Sequence, residues 1–318
     1  MAGYPIDQKL VIAVSSSALF DLSEADNVFK EQGHKAYKEF QEAHLEEVLA
    51  KGVAFPFIRR FLSLNDRFPD LKPVEVVLLS RNSTTTGRRV FRSIQHYGLD
   101  ISRAAFLTGS SPFPYIPAFN ASLFLSQNEE DVLDAIAVNY PAGLVMPSKV
   151  NDEQDDTELR IAFDFDGVIA DDEAETVFKQ GDLNTFQNHE TNKQATPHNP
   201  GPLADLFKKL SGIQKLESKE LKKDPSYKRI LRTSIVTARN APSHERVVTT
   251  LESWGVWAEN TFFLGGMDKN RILSVLKPHI FFDDQRTHLK PSKENIPMVH
   301  VPFGIANQSG KVIRDLDT

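Results

Sequence analysis

Two aspartates one residue apart, Asp164 and Asp166, follow directly on the apolar run Ile161-Ala162-Phe163 and precede Gly167. A strand ending there sets both carboxylates just past its carboxyl end, where open α/β sheets bind ligands. At that spacing one carboxylate can attack an electrophile while the other handles a proton. Gly167 permits the tight turn that this requires. A calcium loop is excluded, because the glycine falls too early and the oxygen ligands at the later positions are missing. Three further positions carry polar groups at strand exits or a helix start. Ser234-Ile235-Val236 ends in Thr237, Lys269 lies just before an amphipathic stretch at 270–276, and His279-Ile280-Phe281-Phe282 ends in Asp283-Asp284. Singly, these read as a helix cap, a solvated charge and a turn. In this order they form a set of carboxylates, a hydroxyl and an ammonium on neighbouring strand ends.

The elements that must position this set alternate short β-rich runs with amphipathic stretches, the pattern of βαβ units on a largely parallel sheet. Strands are predicted at 10–14, 74–79, 123–125, 159–163, 234–236, 280–282 and 298–301, and helices at 36–49, 86–96, 202–210, 243–254 and 270–276. The polar, acidic, aperiodic stretch 148–158 reads as a linker. It divides the chain into a unit at 1–150 and a unit at 151–318. About 70 residues separate Asp164 from Thr237, more than a crossover helix needs.

The two units resemble each other. EADNVFK at 24–30 lies on EAETVFK at 173–179, at an offset of 149, with five of seven residues identical. VVLLSRN at 76–82 lies on SIVTARN at 234–240, at an offset of 158. HYGLDISRAAFLTG at 96–109 lies on SWGVWAENTFFLGG at 253–266, and SLFLSQ at 122–127 on HIFFDD at 279–284, both at 157. Four blocks in the same order point to duplication. Carried through, Asp164 falls on Ser15 and Asp166 on Ser17 (164 − 149, 166 − 149). Thr237 falls on Leu79 (237 − 158), and Lys269 and Asp283 fall on Pro112 and Ser126 (269 − 157, 283 − 157). The expected fold is therefore α/β with two Rossmann-like parallel-sheet units, the first without catalytic residues.

Composition narrows the partners. The 318 residues are 40% apolar and 25% charged, ordinary for a globular protein of about two domains. No cysteine is present, so disulfides and thiolate metal sites are excluded. With no secretory leader visible, the cytoplasm is the expected compartment. No apolar run approaches the length of a membrane helix, so no membrane partner is expected. A net charge of −6 without a basic tract argues against a nucleic-acid polymer. Self-association into a homo-oligomer stays open.

The order Asp164/Asp166, Thr237, Lys269, Asp283/Asp284 is the four-motif pattern of the haloacid-dehalogenase superfamily. Across the whole chain, AVSSSALFDL, HYGLDI, FLTGSSP, LFLS, DDEAE, the HE pair at 189–190, VTAR and KPHIFFDD resemble the cytosolic 5′-nucleotidase type I family. One departure is Phe165, which stands where the family pattern has a glycine between the two aspartates. The resemblance implies a magnesium-dependent hydrolase of nucleoside 5′-monophosphates. In it Asp164 is the nucleophile, Asp166 the general acid and base, Thr237 a holder of phosphoryl oxygens and Lys269 the charge offset. Mg2+ would be held by the Asp164 carboxylate, the Asp166 backbone carbonyl and one of Asp283 or Asp284. The segment 172–232 would form a helical cap, with Phe186, His189 and Glu190 facing base or ribose, and Arg239 would meet the phosphate. Another small phosphomonoester such as a sugar phosphate, a phosphotransferase reaction, and a non-catalytic nucleotide-binding protein are alternative readings.

Overall fold

The computed structural model describes residues 4–150, 152–290 and 295–310. Position 151 in the expected linker and residues 311–318 of the expected second unit lie outside the described residues. Ten strands form one sheet: β1 (Leu10–Val14), β2 (Val74–Ser80), β3 (Arg103–Phe106), β4 (Ala121–Ser126), β5 (Ala142–Val145), β6 (Leu159–Phe163), β7 (Leu231–Thr237), β8 (Asn260–Phe263), β9 (Ile280–Asp283) and β10 (Met298–His300). Their order is β3-β2-β1-β4-β5-β10-β9-β6-β7-β8. The central strands are apolar on both faces because helices cover both, as parallel sheets require.

The order 3-2-1-4-5 repeats as 8-7-6-9-10, read inward from the opposite edge. Within each half every pairing is parallel. Within the sheet the halves pair at β5 and β10, which are antiparallel and register through Val145 with Val299 and Leu144 with His300. The strands of the two halves therefore run in opposite directions, and the register sets the carboxyl ends of β4 and β9 level with each other, with Ser126 and Asp283 both at the Leu144–His300 pair. At this seam a Cβ on Gly143 would stand 2.3 Å from Val299 Cγ1, so only glycine lets the strands meet.

The halves share more than a sheet. One apolar cluster runs from Ile12 and Leu123 to Phe163 and Phe282. Helix Phe55–Leu62 of the first half packs on β6, and helix Ala204–Lys223 of the second packs on β1 and β4. The connection at 148–158 is no loose tether. Its Asp152 receives Lys51 at 2.7 Å, Arg59 at 2.8 Å and the buried Arg60 at 2.9 Å.

All seven expected strands are present, and β3, β5 and β8 are additional. Each of the three has four residues, too few to show alternation; β3 and β8 are half-buried edges and β5 contains a glycine. The helix expected at 36–49 is instead Ser23–Ala43, broken at Gly33, where φ is +80° and ψ −176°. The helix expected at 202–210 runs over Ala204–Lys223, because its lysine-rich second half still buries Ile213, Gln214 and Glu217. That corrects the extent of the cap. Ala204–Lys223 belongs to the layer under the sheet, and only Glu173–Gln180 and Leu183–Asn192 stand over the strand ends. Among the described residues no helix is long and apolar enough to cross a membrane.

Candidate active site

β6, β7 and β9 are neighbours, so their carboxyl ends bring Asp164, Thr237 and the Asp283-Asp284 pair together. The loop after β6 turns at Gly167, where φ is +69°. A Cβ there would lie 2.6 Å from Asp284 Oδ2. Glycine is thus required twice, for its conformation and for the approach of a carboxylate. We expect Gly167→Ala to displace Asp284 and to lower kcat by about 10²-fold, the scale of an ångström-sized misplacement. Unchanged steady-state kinetics in a folded variant would refute that tie.

Lys269, at the start of the short helix Asn270–Leu276, reaches Asp164 Oδ2 at 2.6 Å and Asp283 Oδ2 at 2.7 Å. Asp164 Oδ1 accepts the Phe165 N–H at 2.7 Å. Burial works against the Lys269 charge, yet the two carboxylates hold its ammonium above the ordinary lysine range. Three buried carboxylates, Asp164, Asp283 and Asp284, thus face one ammonium. Burial, then the nearby Asp164 and Asp283 carboxylates, push Asp284 up to about 9. Its Oδ1 is buried and has no hydrogen-bond partner among the described residues. An orphaned carboxylate oxygen beside an excess of negative charge fits a divalent cation with oxygen ligands. Ligand atoms of Asp164, Asp283 and His288 also lie within 4.8 Å of one another.

Asp166 turns the other way. Arg239 Nε and Nη2 donate to its two oxygens, each at 2.7 Å. Arg239 Nη1 donates to Glu190, and Nη2 lies 3.0 Å from His198 Nε2. Arg239, expected at the phosphate, lines the cavity and is buried, with its guanidinium held by these partners. The expected substrate contacts His189 and Glu190 are not brought to the cavity. Glu190 is 0% exposed and joins Arg239 to Arg246, whose Nη1 donates to it at 2.9 Å. His189 pairs with Glu173 at 3.0 Å. Their helix, started by Asp182 accepting the Thr185 N–H, presents this face to the body and Phe186 to the cavity. Burial opposes the Glu190 charge, but His198 and Arg239 hold it down at about 2.

That depressed value makes a stability prediction. A carboxyl lowered in the folded state stabilises above its unfolded value of 4.5 and loses this contribution as pH falls toward 2. Glu190→Gln leaves two buried arginines short of an anion, and we expect a loss of about 3–5 kcal/mol in urea unfolding at neutral pH. The deficit should shrink on acidification between those two values. A deficit independent of pH would show that Glu190 acts through packing alone.

Phe186 and Phe178 meet edge to face, centroids 6.0 Å apart, and with Leu183 form the apolar wall of a cavity of about 350 Å³. Asp164, Asp166, Thr237 and Arg239 line its inner side. The Thr237 hydroxyl accepts the Arg239 N–H at 3.3 Å. Glu175 and His288 also line the cavity, and His198 and Arg246 brace it from behind; the sequence reading passed over all four. Glu175 lay within the DDEAE segment, whereas the spacing of the other three carries no signal.

The family model for 5′-nucleotidases matches residues 2–308. Human cytosolic 5′-nucleotidase 1B is 33% identical over 287 residues, an alignment covering 88% of this chain and 47% of the relative. The chain thus spans about half the length of that curated relative. No solved structure matches.

Proposed function

Because the chain belongs to the 5′-nucleotidase family, we propose that it hydrolyses nucleoside 5′-monophosphates to nucleoside and phosphate through an aspartyl-phosphate on Asp164. The reading rests above all on Asp164, a buried carboxylate held 2.6 Å from Lys269 at the base of a cavity with an aromatic wall. Asp164 attacks phosphorus, and the bond from phosphorus to the nucleoside 5′-oxygen breaks. Asp166 supplies a proton to that oxygen, then takes one from the water that displaces Asp164 from phosphorus and frees phosphate. To reach the leaving oxygen, one Asp166 oxygen must exchange Arg239 for substrate, which makes Arg239 a positioning residue. Lys269 offsets the charge gathered on Asp164 and the phosphoryl group. The Thr237 hydroxyl steadies a phosphoryl oxygen, and Phe178 and Phe186 offer faces to the base.

Asp164, Asp283 and Asp284 would hold Mg2+, whose hard oxygen preference suits them, with His288 beside Asp283. Bound there, the cation would screen the phosphate charge and polarise its oxygens. A cytosolic setting follows the curated relative's name. In this reading residues 151–318 form the catalytic unit and residues 1–150 a companion without the nucleophile. The test is phosphate release from a panel of nucleoside monophosphates, with ribose 5-phosphate as comparator, with and without Mg2+. Preference for ribose 5-phosphate would refute the substrate class.

A further inference from the structure

A second cavity bordering strand ends lies in the first half. It measures about 630 Å³, inside the range of small-molecule sites. It sits past the carboxyl ends of β1, β2 and β4, the place the active-site cavity takes at β6, β7 and β9. Strand direction reverses across the seam, where an ion pair of Arg286, just past β9, with Glu129, just past β4, links the two sets of strand ends.

Most of the active-site lining has a counterpart here at the sequence offsets. Phe29 and Tyr37 stand where Phe178 and Phe186 stand (178 − 149, 186 − 149). The rings keep their geometry: 5.7 Å and 82° in the first half, 6.0 Å and 82° in the second. Asp26 takes the place of Glu175 (175 − 149) and Asn82 that of Asn240 (240 − 158). Arg81 replaces Arg239 (239 − 158) and is also forked, on Asp131, with Nη2 at 2.6 Å. The break at Gly33 in helix Ser23–Ala43 falls one residue from the counterpart of Gly181, which separates helices Glu173–Gln180 and Leu183–Asn192 (181 − 149 = 32).

The inner surface has changed. The positions of Asp164, Asp166, Asp283 and Asp284 hold Ser15, Ser17, Ser126 and Gln127, and Pro112 stands for Lys269. Hydroxyls and an amide replace the four aspartates, the attacking one included, while Asp131 at the position of His288 (288 − 157) is engaged by Arg81. The charged residues lining the cavity are Asp26, Asp131, Lys30 and Arg81, which cancel (2 − 2 = 0). The aromatic wall persists, while the apparatus for a metal-bound phosphate is gone.

We infer that this cavity is a second, non-hydrolysing site that binds an uncharged nucleoside. The ring pair receives the base and the serine hydroxyls meet the sugar. The ligand class rests on the nucleotidase reading of the second half; the existence of the site rests on the cavity and its retained wall.

Hydrogen exchange of the full chain with adenosine tests this, with AMP and inorganic phosphate as parallel probes and chelator present. Adenosine should slow exchange across 23–43 and 80–86. Phe29→Ala, at a side chain 49% exposed, should weaken that protection on the order of tenfold, the scale of one lost base–aromatic stack. Ser17→Leu should weaken it by crowding the hydroxyl surface, and Phe186→Ala should leave it unchanged. No protection in these segments, or protection indifferent to both first-half variants, would overturn the site. Protection by phosphate with adenosine silent would overturn the ligand class. AMP turnover on the same preparations separates the two readings. Turnover without first-half protection sinks this inference alone, and protection without turnover sinks the nucleotidase reading alone.

Discussion

Asp164→Asn is expected to lower the rate of phosphate release by on the order of 10⁴-fold or more, the usual scale for removing a nucleophile. Asparagine matches the shape of aspartate and can still accept the Phe165 N–H, so the strand end has little cause to move. The attacking charge is lost, and with it the partner that Lys269 meets at 2.6 Å. Lys269 keeps Asp283 at 2.7 Å, so no buried ammonium is stranded and the protein should stay folded. The check is phosphate release beside a thermal melt. Acid-stable incorporation of labelled phosphate in wild type, absent from the variant, would identify the covalent step. Near-normal turnover by a folded Asp164→Asn protein would refute the mechanism.

Chelation of divalent cations is expected to bring turnover to background, with Mg2+ restoring it and Ca2+ substituting poorly. The longer bonds and higher coordination number of Ca2+ disturb an in-line displacement. The argument comes from the acid surplus around Lys269 and the orphaned Asp284 oxygen. A cation there relieves repulsion in the folded state, so Mg2+ should also stabilise the protein without substrate. At a hundredfold excess over Kd the gain is about 2.7 kcal/mol. Asp284→Asn should reduce that gain. Full activity in excess chelator, or a melt unmoved by Mg2+, would remove the metal from the scheme.

The strand framework of the site was legible in the sequence because 10–14 and 161–163 are continuous apolar runs closed by polar residues. Motif order also placed Asp164, Thr237 and Asp283 at strand ends and Lys269 at a helix start, and the structure brings the four together. What sequence could not supply was pairing. His189-Glu190 looked like an exposed recognition pair, yet one helical turn aims Glu190 at two arginines 49 and 56 residues away. Arg239 lines the cavity as a phosphate contact would, but its fork on Asp166 had no signal in the sequence. An arginine near a carboxylate-rich motif can serve either the substrate or the motif, and only the fold decides. The cap was overdrawn because buried polar residues such as Gln214 and Glu217 hide the apolar stripe of helix Ala204–Lys223.

The antiparallel seam between β5 and β10 has a consequence for communication. The two halves run head to head across it, with Ser126 and Asp283 both level with the Leu144–His300 pair. Arg286 pairs there with Glu129, and their chain neighbours Gln285 and Asn128 line the active-site cavity and the first-half cavity. A shift of either loop on filling its cavity therefore has one ion pair to cross before it reaches the other.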